Sequence, residues 1–494
     1  MHAAAIMSPS PSIAMQALPT RAANCTVQAD RAWPITIATI TGLGLALRIA
    51  LAGGPLTLDE AWSLHNLRLV RAPWQVFWKI SHDNNHFLNS FWLALVGGTE
   101  PWAMRAPSVL MGGAFIVAMA VLGRRRDGAT GIAAAILAAS GYYFVAYSAE
   151  ARGYMGATLA LALAALAFER ALATGSAKAR FAMAAWLGIG LFWHLALLPA
   201  IPLFGLAAAI EAKRRGATAV AAFEHTMRLM LPTVAAAVPA FACVAAGILA
   251  TGKFIIGGVT PYAAVDAATG LTGLVGALAG LPAATPAAIS ACLGAALVAG
   301  GLAVSAPARR GLIAVTTLGF PLAVFALRPP NVAFPRYWFV IAPFVALAAA
   351  DLFGAAWRRG GATRIAGALA LAAAVAGNVA LAARQFDAAS HGWPSAFDRI
   401  AASGARRFAT SMDDRIGLLR DAYARGGPAP AIVPKSQWCA ARPRWFVAEK
   451  PPDEAFPRRL ALHPPGCALR FEYEGEYATR GLSAIDWALY RAAP

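Results

Sequence analysis

Charge is scarce in this sequence: only 13% of its 494 residues are Asp, Glu, Lys or Arg, about half the ~25% usual in soluble domains. So few charges cannot cover the surface of a water-soluble protein this large, which excludes a soluble enzyme. The 45 glycines follow no fixed period, which excludes collagen, and with 59% hydrophobic residues the chain is too apolar for disorder. Cysteine is also sparse, with five residues and no metal-ligand spacing among them. Acids are scarcest of all, 24 against 42 Lys and Arg, and about 12 of them follow Arg384. The first 383 residues therefore hold only about 12 acids, each of which is costly in or near a bilayer.

What is present is a series of apolar stretches separated by basic clusters: Arg124–Arg126, Lys178 with Arg180, Lys213–Arg215, Arg309 with Arg310, and Arg358, Arg359 and Arg364. This is the positive-inside pattern of a polytopic membrane protein, so the net charge of +18 reflects membrane topology and implies no nucleic-acid partner. About twelve spans are expected at a length of roughly 20 residues. They lie near 33–53, from 87, 107–123, 129–147, 153–173, 181–193, 195–210, 229–250, 285–305, 312–327, 338–357 and 365–383. With the basic loops inside, the N-terminus is cytoplasmic, and 54–86, 148–152, 251–284, 328–337 and the segment after Arg384 face outward.

Three domains follow. Residues 1–32, rich in Ala, Ser and Pro, read as a disordered cytoplasmic tail without a signal-peptide pattern. Residues 33–383 form an all-α membrane bundle. Residues 384–494 return to the charge density of a soluble protein and read as a small α/β domain outside the membrane. Helices are expected there near 395–402 and 415–424, and strands near 445–447, 468–473 and 487–490. Cys439 and Cys467 are the only cysteine pair in that domain and could form a disulfide in an oxidising compartment.

The rare acids concentrate in the outward loops. Asp59 and Glu60 are adjacent just beyond the first span. Thr57 and Glu60 fit a capping box, which explains Glu60 but does not require Asp59. On a helix the two side chains diverge by about 100°. His82, Asp83, Asn84, Asn85 and His86 crowd the start of the second span. Glu150 and Arg152 sit between the fourth and fifth spans beside Tyr142, Tyr143, Tyr147 and Tyr154. Arg336 runs against the positive-inside trend; it suits either snorkelling or a forked grip on a phosphate. Lys253 and Arg105 are further outward cations of that kind.

The order of Asp59-Glu60, Tyr147-Ser-Ala-Glu-Ala-Arg-Gly-Tyr154 and Pro335-Arg-Tyr-Trp-Phe-Val-Ile-Ala-Pro343 resembles the GT-C superfamily of membrane glycosyltransferases, in its protein O-mannosyltransferase-like and aminoarabinose transferase-like branch. The resemblance covers roughly residues 33–383. It departs at Asp83-Asn-Asn-His-Phe-Leu88, where many relatives carry Asp-x-His-Pro-Pro-Leu. It implies inverting transfer of a sugar from a polyprenyl-phosphate donor to a lipid, glycan or protein acceptor at the periplasmic face of the inner membrane. Asp59 would be the general base, with Glu60 completing the acidic pair. Arg152 and Arg336 would hold the phosphate, and Glu150 and Asp83 would orient hydroxyls. Tyr337, His86, Asn85, Lys253 and Arg105 complete the expected substrate-binding set. The resemblance fixes no cofactor, and a divalent metal at His86 or His82 with a carboxylate such as Asp83 stays open. The rival reading is a transporter or flippase of a lipid-linked sugar.

Overall fold

The computed structural model describes residues 21–493 apart from 99, 258–259, 283, 391, 451–454 and 479–485. Residues 1–20 of the expected tail lie outside the described residues, and 21–32 are the first turns of a helix, α1 (Arg21–Ala52). Three short helices follow at the same end of the bundle, α2 (Leu58–Asn66), α3 (Val76–Lys79) and α4 (Phe87–Val96), before the long α5 (Pro101–Arg124). Next come α6 (Gly128–Ser140), α7 (Tyr142–Ser148), α8 (Tyr154–Thr174), α9 (Ala177–Trp193), α10 (Ala200–Arg214), α11 (Ala219–Thr251), α12 (Ala264–Ala279) and α13 (Ala287–Val304). A π-helical turn at Val315–Gly319 joins α14 (Pro307–Ala314) to α15 (Phe320–Leu327), and α16 (Ala342–Arg359) and α17 (Gly361–Ser390) close the bundle.

Among the described residues, eight helices are long and apolar enough to cross a membrane, nine if α6 and α7, bent by 53°, form one broken span. The other three of the twelve expected spans fall short for physical reasons. α4 has ten residues and α9 has 17, below the roughly 20 that reach across a bilayer. α16 carries Asp351, Arg358 and Arg359 within its 18 residues. Among the described helices of ten residues or more, one was not foreseen: α12 lies in the stretch read as an outward loop. There Gly270, where a Cβ would press on the Val332 carbonyl and the Trp338 indole, lets it pack closely.

Buried polar groups fix the geometry of the bundle. Arg48, fully buried in α1, donates to the Ala138 and Ala139 carbonyls at the end of α6, at 2.7 and 2.9 Å, and to Ser148 Oγ at the end of α7, at 3.0 Å. Asn378 in α17 accepts from the Tyr142 amide at 2.7 Å and donates to the Leu278 and Ala374 carbonyls. Both side chains serve the backbone groups released by the bend, as hydrocarbon requires. At the opposite end, Arg309 bonds Glu169 at 2.8 Å and Asp351 at 3.1 Å.

The chain after α17 forms α18 (Pro394–Ala402), α19 (Asp413–Tyr423), α20 (Trp438–Ala441) and six strands: β1 (Arg407–Thr410), β2 (Ala431–Ile432), β3 (Trp445–Lys450), β4 (Arg459–Leu462), β5 (Leu469–Ala478) and β6 (Asp486–Ala492). The sheet order is β2-β1-β3-β6-β5-β4, with β2, β1 and β3 parallel and the rest antiparallel. The expected helices and strands are all present, and Cys439 and Cys467 are bonded. The domain packs on the membrane part through α2: Ala61 shares an apolar cluster with Ile416, Leu419 and Trp487, and the Trp393 indole donates to the Leu56 carbonyl at 2.7 Å.

Asn378→Ala strands the buried Tyr142 amide and is expected to lower stability by about 1–3 kcal/mol, read as a drop in unfolding temperature of the detergent-solubilised protein.

Candidate active site

The two adjacent acids of the first outer loop take different partners. Thr57 caps α2: the Glu60 amide donates to Thr57 Oγ1 at 3.2 Å and the Thr57 amide to Glu60 Oε2 at 2.7 Å. That box points Glu60 inward, where it is 1% exposed and meets Arg105 of α5, which is fully buried. Arg105 donates to both Glu60 oxygens, at 2.8 and 2.7 Å, and to the carbonyls of Ala52, Gly54 and Pro55. All five of its N–H groups are thereby used. Glu60 also accepts from the Ala151 amide at 2.6 Å, which fills its fourth acceptor position. Burial pushes its carboxyl up, but Arg105 and the backbone amides outweigh that and hold it ionised. Neither side chain has a group left for a ligand, so their part is to position others.

Asp59, one residue earlier, points the other way and keeps about a quarter of its side chain exposed. Its Oδ2 accepts from Arg336 Nη1 at 2.5 Å and lies 3.5 Å from Arg152 Nη1. Burial raises its pKa, and the nearby Arg336, Arg152 and, more weakly, Arg415 charges reverse that to a net lowering. Arg336 stands on the 3₁₀ turn Pro335–Trp338 with its guanidinium over the Phe334 ring, 4.5 Å from the centroid, and the Tyr337 ring, 5.2 Å. Arg152 follows the broken span α6–α7 and is anchored by Ser108 Oγ, which donates to its carbonyl at 3.0 Å. Gly153 makes this packing possible, because a Cβ there would collide with the Trp193 carbonyl. Although both arginines are largely buried, Arg152 Nε and Nη1 and Arg336 Nε have no hydrogen-bond partner among the described residues. Two guanidiniums that share one carboxylate and keep unspent donors form an anion site.

Neutral donors surround it. His86 Nδ1 accepts from the Gly153 amide at 2.7 Å, and His194 Nδ1 accepts from the Ala196 amide at 3.1 Å. Burial, reinforced by the arginine charges, holds His86 well below its usual range and His194 at about 3. With Nδ1 accepting, each neutral ring carries its proton on Nε2. His194 Nε2 and the Tyr147 hydroxyl are buried without hydrogen-bond partners among the described residues. Their rings connect through Tyr154, whose centroid lies 4.4 Å from that of His194 and 4.8 Å from that of Tyr147. Glu150 is 6% exposed, and burial, then the Glu60 charge, push its carboxyl up to about 8. Near neutral pH it is mostly protonated. The charges that remain are Glu60 against Arg105 and Asp59 against two arginines, an excess of one positive charge.

Asp59, Glu150, Arg152, Arg336, Tyr337 and His86 are thus brought together. The other expected residues are engaged elsewhere. Asn85 spends both amide N–H groups on the Val76 and Ile80 carbonyls. Asp83 accepts from the Gly257 amide at 3.1 Å and faces His82 at 2.7 Å. Lys253 is exposed, and its carbonyl accepts from Ser81 Oγ at 2.6 Å. His86 and Asp83 serve different partners, and the described residues contain no group of three or more His, Cys, Asp or Glu able to hold a metal. His194, Tyr147 and Tyr154 were not among the expected site residues. The only sequence signal for His194 is a lone polar residue in the break between two apolar stretches.

The fold is that of crystal structures of ArnT from Cupriavidus metallidurans. The apo form aligns with a TM-score of 0.55 and 12% identity over 93% of this chain and 98% of the other. The form bound to undecaprenyl phosphate aligns at 0.51, again with 12% identity, over 92% and 97%. The architecture is therefore shared with ArnT: an all-α multi-pass membrane bundle followed by a small α/β domain. No protein-family model and no curated protein matches the sequence.

Glu60→Ala leaves Arg105 as an uncompensated buried charge and is expected to cost about 3–5 kcal/mol of stability, seen as a lower unfolding temperature. Glu150 has a folded-state pKa above its unfolded value of 4.5, so it binds more protons folded than unfolded between about pH 4.5 and 8. Its contribution to stability therefore falls as pH rises through that window. Glu150→Gln should flatten that fall, gaining stability relative to wild type at pH 9 compared with pH 5 in parallel melts.

Proposed function

We propose that this protein is a membrane glycosyltransferase that moves a sugar from a polyprenyl-phosphate donor to an acceptor hydroxyl at the membrane face bearing the C-terminal domain, the periplasmic face of an inner membrane. The observation that carries this reading is the pair of buried arginines with unspent N–H groups on either side of Asp59. A leaving phosphate develops negative charge as its bond to the anomeric carbon breaks, and preorganised guanidiniums in a water-poor site stabilise that charge without reorganising. Binding of undecaprenyl phosphate by the structurally similar ArnT supports the donor class.

Asp59 serves as both placeholder and base. Without donor it is the anion shared by Arg336 and Arg152, which hold its pKa down. A donor phosphate competes for the same N–H groups, draws the arginines away and lets the Asp59 pKa rise as it becomes a free carboxylate. The acceptor oxygen attacks the anomeric carbon from the face opposite the phosphate and its proton passes to Asp59. The bond from carbon to phosphate oxygen breaks, and the polyprenyl phosphate leaves on the arginines with inversion at the carbon. The neutral Nε2–H of His194 and the Tyr147 hydroxyl suit phosphate or sugar oxygens, and protonated Glu150 donates to a sugar hydroxyl. Glu60 and Arg105 hold Asp59 in register.

Asp59→Asn should abolish transfer, measured as release of free polyprenyl phosphate from a synthetic polyprenyl-phosphate sugar in the presence of acceptor. Because it also leaves Arg336 and Arg152 without their counterion, it should lower the unfolding temperature, and the assay is run below the melting transition of the variant. Undiminished turnover in that variant would remove Asp59 as base. Movement of the donor across liposomes without cleavage would replace transfer by the flippase reading.

A further inference from the structure

The C-terminal domain presents its own unspent polar groups to the membrane site. Glu449 on β3 and Trp487 on β6 are directly opposed in the antiparallel register, and Tyr477 on β5 opposes Trp487 in turn. Opposed residues project from the same face of a sheet. That face borders the apolar cluster in which Trp487 and the α19 residues Ile416 and Leu419 join Ala61 of α2, with Leu58, the residue before Asp59, packed against it. The Glu449 side chain is 6% exposed and Trp487 is 2% exposed. Yet Glu449 Oε2 and Trp487 Nε1 have no hydrogen-bond partner among the described residues. The other oxygen, Glu449 Oε1, accepts from Arg415 at the start of α19. Arg415 is a third exposed, and the residue after it, Ile416, packs in the same cluster as Ala61.

Unpaired buried donors and acceptors are costly, and a native structure rarely keeps two on opposed residues of one sheet face without a use. A carboxylate oxygen and an indole N–H on opposed residues are together complementary to hydroxyl groups, which donate to the first and accept from the second. Arg415 and Glu449 cancel in charge, so this roof over the site is neutral, whereas the floor at Arg152 and Arg336 carries the positive excess. The two layers therefore suit different ligands, an anion below and a neutral polyol above.

Building on the donor reading above, we propose that Glu449 and Trp487 form the acceptor subsite. They would bind a neutral, hydroxyl-rich acceptor of sugar type and deliver one of its hydroxyls to Asp59. Arg415 is the movable cover, because it is the exposed member of its ion pair. A strong preference for an anionic acceptor would not fit this roof.

Saturation-transfer NMR on the purified full-length protein, with methyl α-mannopyranoside as the neutral probe and glycerol 3-phosphate as the anionic one, tests this alongside undecaprenyl phosphate titration. The wild type should show transfer to the glycoside. Glu449→Gln and Trp487→Phe should each weaken it about fivefold or more, the worth of roughly one hydrogen bond, with undecaprenyl phosphate affinity unchanged. Absence of a wild-type glycoside signal, an equal signal in both variants, preferential binding of glycerol 3-phosphate, or parallel loss of undecaprenyl phosphate binding in the variants would each overturn the subsite. Failure of the wild type to bind undecaprenyl phosphate while the glycoside signal persists in the expected pattern would instead overturn the donor assignment and support the subsite.

Discussion

A carboxylate and a guanidinium with no hydrogen-bonding capacity to spare hold the site end of this bundle together. Glu60 and Arg105 tie the end of α1, the start of α2, α5 and the turn after α7 into one rigid unit. Such a pair gains little over apolar packing, because desolvating both ions offsets most of their attraction. What it supplies is register. Glu60 cannot shift without stranding a buried charge, so Asp59, on the same turn, is held in one direction.

That rigidity divides the polar atoms of the site into two populations. Those of Glu60, Arg105 and Asn378 are consumed by the backbone or by each other. Those of Arg152, Arg336, His194 and Tyr147 are incompletely used. Burial makes the second population costly in the free protein, and the same burial makes it effective toward developing negative charge, since low-dielectric surroundings strengthen each interaction. The C-terminal domain repeats the division on a smaller scale. Most of its inward face is apolar and seals against α2, while Glu449 and Trp487 keep unspent atoms where that seal approaches Asp59.

The donor reading also accounts for the unusual charge state of the pocket. Two carboxylates close together cannot both ionise cheaply, and their environments separate them. Asp59 is kept ionised by two arginines, whereas Glu150, facing Glu60 and buried, is pushed up to about 8. One acid is able to accept a proton and the other to donate a hydrogen bond, a difference set by surroundings rather than by residue type.

Much of this was readable in the chain itself. The shortage of charge determined a membrane bundle, and the return of charge after Arg384 marked a separate α/β segment whose expected helices and strands are present. The rarity of acids singled out Asp59, Glu60 and Glu150, and the capping box of Thr57 with Glu60 was legible because it is local. What sequence could not assign was partnership. Arg105 read as a ligand contact because nothing local shows that its five N–H groups meet α1 and α2. His194 and Arg415 became visible only when distant helices and the outer domain met around Asp59. Composition and periodicity determine which segments leave water. Which buried polar atoms are satisfied, and which remain for a substrate, depends on long-range contacts, and only the tertiary structure decides it.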